Sequence, residues 1–540
     1  MSYTSINFFA LVLITAILYF SLPLKRNRWI VLLAASYVFY MFAGFKYIAF
    51  ILLTTVSTYL ITVWIDRVSC KAKQELIENK TVWSRQQKQQ YKNKIKKNKR
   101  MIMALALVIN FGVLGFLKYY NFFAGSFNDF MGIFKMNFSA PTLKLFLPLG
   151  ISFYTFQSMG YVIDVYREKF PAERNPAKLA LFVSFFPQIV QGPISFYDQL
   201  AHQLYEPHRV DFTRIKYGCE LILWGFFKKL VIADRAVIAI NTVVADYDKY
   251  YGSTLLFTIL LYALQLYADF SGGIDISRGI AQIFGIEMAE NFKRPYFSKS
   301  ISEYWRRWHI TLGAWMKEYL FYPLAMSNMF LSASKKMKKS KIGLTKTGSH
   351  IAKVLPTAVA SLIVFLIVGI WHGSSWKYVA FGLWNGVIIM LSILLKPLFD
   401  NILKKLHIPS KSLIWKLLQM FRTFVIVCIG YVFDVAPSFK QATHSIFKIM
   451  FCFNIEQLKD NVFRLGLEAK DFIILLFATI ILFLISLIQE KKDNVSIRVR
   501  INKTNSMVQW LILFVAVMIV LIFGVYGSNA HNADFVYAQF

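Results

Sequence analysis

The sequence predicts an all-α polytopic membrane protein, on two observations. Apolar runs long enough to cross a bilayer recur along the chain, and the basic residues gather in the loops between them. Of 540 residues, 56% are hydrophobic and 17% aromatic, with a mean hydropathy of +0.48, a combination foreign to soluble domains. A net charge of +32 would point a soluble protein toward nucleic acid. Here the lysines and arginines cluster as the positive-inside bias and anionic cytoplasmic lipid select, so membrane lipid is expected as a partner and nucleic acid is not. Four scattered cysteines (Cys70, Cys219, Cys428, Cys452) show neither metal spacing nor a disulfide framework.

The first spans fall at about residues 6–22, 29–45, 47–65 and 102–117. The first has no basic residue before it and Lys25, Arg26 and Arg28 after it, the reverse of a signal peptide. It therefore reads as a retained span with an outside N-terminus, which places the densely basic segment 67–100 in the cytoplasm. Residues 143–163, 178–195, 217–235 and 254–270 are apolar but interrupted by Pro148, Gly150, Gln157, Pro187, Gln191 and Gly192. Irregular backbone at membrane depth is tolerated only where protein buries it or a cavity receives it. Segment 301–322 carries Glu303, Arg306, Arg307, Lys317 and Glu318, too many charges for a lipid-facing span, and reads as a re-entrant or cavity-lining helix. Spans 354–371, 376–395, 412–434, 472–489 and 508–526 follow, with basic loops 335–346, 396–407 and 491–503 on the inside and the C-terminus outside. The expected total is about eleven spans plus re-entrant helices. The expected divisions are 1–148, a core 149–395, 396–526 and a tail 527–540.

Ionisable groups inside a membrane are costly and are candidates for function. His372, in GIWHGSSW, sits where an outward span meets an inward one. An imidazole there can take a proton from a hydroxyl, or can simply hydrogen-bond a carbonyl at a helix turn. His309 shares a helical face with Trp305, Leu312 and Met316, as a second functional histidine or as polar trim on an interfacial helix. In LYADFSGGIDISRGIA, Asp269, Ser271 and Asp275 follow an apolar run; SGG is expected to break the helix, and Asp275 to pair with Arg278 three residues on. The tail HNADFVYAQF ends in Phe535, Tyr537 and Phe540, aromatics suited to docking in a groove, with Tyr537 offering a phenol from outside.

Five stretches together resemble the membrane-bound O-acyltransferase superfamily, in its bacterial alginate O-acetyltransferase-like branch. They are LGISFYTFQSMGYVIDVYR (149–167), FFPQIVQGPI (185–194), QLYADFSGGIDISRGIA (265–281), NFKRPYFSKSISEYWRRWHITLGAWMKEYLFYPL (291–324) and GIWHGSSWKYVAFGLWNG (369–386). The resemblance implies a helical shell around a transmembrane tunnel, with His372 as catalytic base and His309 as its companion. Asp269, Ser271, Asp275, Asn291, Arg294, Trp305, Trp308 and Trp371 would line the tunnel or hold substrate, with no bound cofactor or metal. It implies a cytoplasmic acyl thioester, acetyl-CoA, as donor and an extracytoplasmic cell-envelope polysaccharide as acceptor, in a bacterial plasma membrane. The tail is similar to the aromatic C-terminus of small partner peptides in the related D-alanylation system, which would make Tyr537 an acyl relay. A second, SGNH-like transferase would complete delivery. D-Alanyl transfer to teichoic acid from a carrier protein is the same-fold alternative, and an envelope-precursor transporter or flippase is the alternative of a different class. VFDVAPSF, within 432–439, departs from the more Arg-containing turn of this branch.

Overall fold

In the computed structural model the described residues are 3–23, 25–136, 139–409, 411–491 and 496–526, and among them every regular element is helical. Two compact units divide the chain, one of residues 1–219 and 277–289, the other of residues 220–276 and 290–540.

The first unit holds α1 (Ile6–Ser21), α2 (Trp29–Met41), α3 (Ile48–Glu78), α4 (Arg85–Ile133), α5 (Ile151–Tyr166), α6 (Pro176–Ser184), α7 (Tyr197–Tyr205) and the start of α8 (Phe212–Phe226). At the head of α4 a reciprocal cap fixes the start of a 49-residue helix: Ser84 Oγ accepts from Gln87 N at 3.2 Å while Gln87 Oε1 accepts from Ser84 N at 2.8 Å. α5 is buried almost throughout. The expected span 178–195 is instead a short helix, α6, followed by irregular chain, and that chain is buried. Side-chain amides replace the missing helical bonds: Gln157 Nε2 donates to Phe182 O at 2.7 Å, Gln188 Nε2 to Gln157 Oε1 at 3.1 Å, and Ser195 Oγ to Gln188 Oε1 at 3.2 Å.

The second unit takes up the rest of α8 and adds a π-helical stretch (Phe227–Ala233), α9 (Asp234–Ala245) and most of α10 (Gly252–Ile283). Then come α11 (Ile301–Arg307), α12 (Ile310–Met316), a second π-helical stretch (Lys317–Phe321), α13 (Tyr322–Ala325) and α14 (Asn328–Lys339). It continues with α15 (Lys346–His372), α16 (Trp376–Leu394), α17 (Lys396–Lys405), α18 (Leu413–Val435), α19 (Phe439–Phe451), α20 (Ile455–Asn461), α21 (Ala469–Lys491), α22 (Ile497–Ile501) and α23 (Ser506–Phe523).

Among the described residues eight helices are long and apolar enough to cross a membrane: α3 with its leading turn, α4, α10, α15, α16, α18, α21 and α23. α1 and α2 are shorter apolar helices. The expected break at Ser271–Gly273 is absent, because α10 runs through it. Gly272 serves packing instead: a Cβ there would lie 2.9 Å from Gly225 O, and one on Gly225 would lie 2.7 Å from Gly272 O. Backbones that touch need the small residue, and the helical hydrogen bonds survive it. The expected single helix over 301–322 is divided into α11, α12 and a π-helical turn, for a reason that lies at His309.

Candidate active site

His372 is the last residue of α15, and the chain turns through Gly373 and Ser375 into α16. The two helices lie against each other at Gly369, where a Cβ would come within 2.7 Å of Gly382 Cα. That crossing draws the end of α15 inward, so His372 is only 6% exposed. Its ring meets Trp371 at 5.2 Å and Phe381 at 5.3 Å between centroids. Lys377, at the head of α16, donates to Asp434 O at 2.9 Å and Ala436 O at 2.8 Å, capping the end of α18. Asp434 in turn accepts from Tyr262 Oη at 2.8 Å. The stretch VFDVAPSF thus anchors the turn that carries His372.

His309 has a left-handed backbone, φ 46° and ψ 53°. This conformation costs a branched or bulky residue about 1–2 kcal/mol, so surrounding bonds must impose it. Asn291 supplies them. Its carbonyl accepts from Ile310 N at 3.0 Å, and its Oδ1 accepts from Thr311 N and Thr311 Oγ1, each at 3.0 Å. Because Oδ1 takes a backbone N–H, the orientation of the Asn291 amide is fixed. His309 Nδ1 lies 3.3 Å from that same oxygen, so Nδ1 is the donor in this contact. The turn rotates His309 off the face predicted for it with Trp305, Leu312 and Met316, and buries it to 1% exposure.

The two histidines flank one indole: the His309 and Trp371 centroids are 5.8 Å apart, against 5.2 Å for His372. Trp305 closes the same neighbourhood, 6.3 Å from Phe381, and its Nε1 donates to Asn385 Oδ1 at 3.0 Å. Trp308 is buried between Phe292 and Tyr304, at 4.9 and 5.6 Å. Arg294 turns away to a carboxylate on α21, its Nε 2.7 Å from Glu490 Oε2. Arg307 binds Glu490 at 3.0 Å and Glu303 at 2.8 Å, which settles two of the charges that make segment 301–322 improbable as a plain span.

Asp269, Ser271 and Asp275 meet two lysines that sequence reading passed over. Lys229 Nζ lies 2.6 Å from Asp269 Oδ1 and 2.9 Å from Asp234 Oδ1. Lys228 Nζ lies 2.9 Å from Ser271 Oγ and 2.7 Å from Asp275 Oδ2. Consecutive residues on an ordinary helix diverge, and the π-helical turn at Phe227–Ala233 is where this pair departs from it. Both lysines are buried; their signal in the sequence was two adjacent charges inside the apolar run 217–235. The network borders the histidines, since Phe270, between Asp269 and Ser271, stands 4.8 Å from the His309 ring. The expected Asp275–Arg278 pair belongs to a different grouping: Asp275 takes Lys228, and Arg278 Nε donates to Met288 O at 3.2 Å. Tyr537 and the rest of the tail lie outside the described residues, although Val525 N, near their root, donates to Leu230 O at 3.1 Å.

A family model described as MBOAT, membrane-bound O-acyltransferase, matches residues 173–340, which include His309 and stop short of His372. The chain is 30% identical over 437 residues to the probable alginate O-acetylase AlgI of Pseudomonas aeruginosa, covering 81% of this chain and 72% of that one. It is 31% identical over 451 residues to the peptidoglycan O-acetyltransferase of Helicobacter pylori, covering 78% and 73%. It is 28% identical over 305 residues to the teichoic acid D-alanyltransferase of Bacillus subtilis, covering 55% of this chain and 71% of that one.

Proposed function

Since the chain belongs to the membrane-bound O-acyltransferase family and is a multi-pass membrane O-acyltransferase of envelope polymers, we propose that it moves an acetyl group from cytoplasmic acetyl-CoA to hydroxyls of an extracytoplasmic polysaccharide, with His372 as general base. The observation that carries this is the pair of buried imidazoles against Trp371. The acceptor hydroxyl attacks the thioester carbonyl while His372 takes its proton. The tetrahedral intermediate then expels the thiolate, to which His372 passes the proton taken from the hydroxyl. His309, its Nδ1 proton held by Asn291, presents Nε2 and orients the acyl donor or the acceptor. A donor confined to one side and an acceptor to the other explain why the base is buried at membrane depth. The acetyl reading is favoured over D-alanyl transfer because the O-acetylating relatives align over most of the chain and the D-alanyl relative over about half.

His372→Ala is expected to lower acetylation of the envelope polymer by 10²–10⁴-fold at unchanged membrane abundance, as read by mass spectrometry of the polymer. Undiminished acetylation would remove His372 from the mechanism, and a D-alanyl ester in the wild type would replace the acetyl reading. In the same proposal Tyr537 accepts the acetyl as a phenyl ester before a second, SGNH-like transferase passes it on. Tyr537→Phe tests this step, and normal transfer by that variant rules it out.

A further inference from the structure

Away from the histidines, the first unit holds a cavity of about 500 Å³ between the charged ends of α3, α4 and α5. Lys73, Lys92, Lys96, Lys99 and Arg167 line it against a single carboxylate, Glu168. Glu168 closes the back wall: it bridges Lys73 at 2.8 Å and Lys99 at 2.5 Å, and Lys99 lies 5.7 Å from the Tyr166 ring. Lys73 first, then Lys99, hold the Glu168 carboxyl down at about 2, so it stays ionised at any physiological pH. Lys92 and Lys96, one turn apart on α4, are exposed and enter no ion pair with any described residue. Positive charge is thus in excess over a floor partly apolar, made by Ala72, Leu76 and Ile95.

Depth identifies the ligand. The apolar stretch of α4 begins at Met101. At 1.5 Å per residue, Lys99, Lys96 and Lys92 stand about 3, 8 and 14 Å beyond it along the axis. The headgroup layer of a bilayer extends about 5–8 Å past the hydrocarbon. The inner lysines are therefore level with lipid phosphates and the outermost reaches into water. We propose that this cavity binds the phosphate headgroup of an anionic phospholipid. The phosphate diester sits against Lys96, with Lys92 bending its ammonium down onto it from the aqueous side and the glycerol against Ile95 and Leu76. A soluble phosphate ester such as coenzyme A offers the same chemistry from the aqueous side, and the two sources are separable.

The test uses the full-length protein in detergent, titrated with dioctanoyl-phosphatidylglycerol, dioctanoyl-phosphatidylcholine or coenzyme A, with bound adducts counted by native mass spectrometry. The double variant Lys92→Gln, Lys96→Gln alters only exposed side chains and is expected to fold. Its affinity for phosphatidylglycerol is expected to fall about ten- to thirtyfold, from the usual worth of a lysine at an anionic surface. Phosphatidylcholine binding is expected to be unchanged, and coenzyme A is not expected to displace the anionic lipid. Equal phosphatidylglycerol retention by wild type and variant overturns the site, as does equal retention of both lipids by the wild type. Displacement by coenzyme A at comparable concentration overturns the lipid assignment.

Discussion

A histidine with positive φ can be tested on its backbone and its ring separately. Asparagine enters the left-handed region more easily than most residues and cannot serve as an imidazole. His309→Asn is therefore expected to keep near-wild-type thermal stability in detergent while transfer to polymer drops at least tenfold. His309→Val is expected to lose both, with about 1–2 kcal/mol of added backbone strain. If the asparagine variant transfers acyl groups normally, His309 is a turn residue and nothing more. Both histidines stood out in the sequence as candidates, because an imidazole in an apolar run is conspicuous. The left-handed turn was not: helical periodicity through Trp305, His309 and Leu312 was intact, and the bonds that break it come from Asn291, eighteen residues earlier in the chain.

Between helices, the decisive contacts are charges that satisfy one another inside the fold. Lys229 is 3% exposed, its partners Asp269 and Asp234 1% and 8%. Deleting one member of a buried ionic set leaves desolvated charge behind, typically at about 3–5 kcal/mol, whereas neutral, matched replacements are tolerated. Lys229→Met is thus expected to depress the folded fraction strongly in thermal unfolding of the purified protein. The combined variant Lys229→Met, Asp234→Asn, Asp269→Asn is expected to recover much of the loss. Equal instability of the two would show that the ammonium matters for something other than neutralising carboxylates. Sequence reading found Asp269 and Asp275 but sought a partner for Asp275 at Arg278, three residues away on one helix. Local spacing reveals neighbours along an element and is silent about a lysine on another, here forty-odd positions earlier. Gly272 misled for the same reason: glycine signals either a break or a close approach, and only the neighbouring Gly225 decides which.

At the scale of the molecule the membrane character was plain from composition, since apolar runs and basic loops alternate on a scale no tertiary contact can disguise. The interrupted middle was harder, because α6 and the buried chain after it satisfy their polar groups through Gln157 and Gln188 rather than through helix continuity. Orientation has a simple check in Cys70, which is exposed on the charged end of α3. With the basic hairpin in the cytoplasm, a membrane-impermeant maleimide is expected to label Cys70 in inverted vesicles and to spare it in intact cells. The reverse pattern would invert the topology. The π-helical turns carry a consequence for how such a chain changes with descent. Each accommodates one residue more than an α-helical turn, so each behaves as an insertion absorbed without displacing the helix ends. Excising a single residue between Phe227 and Ala233 would restore ordinary winding and leave the helix ends where they are, but would shift the side chains of the turn itself by one position. Lys228 and Lys229 would then exchange or lose their carboxylates. Chain length at that point is held constant by electrostatics, and a gap there in a homologous sequence would be expected only where the lysines had also gone.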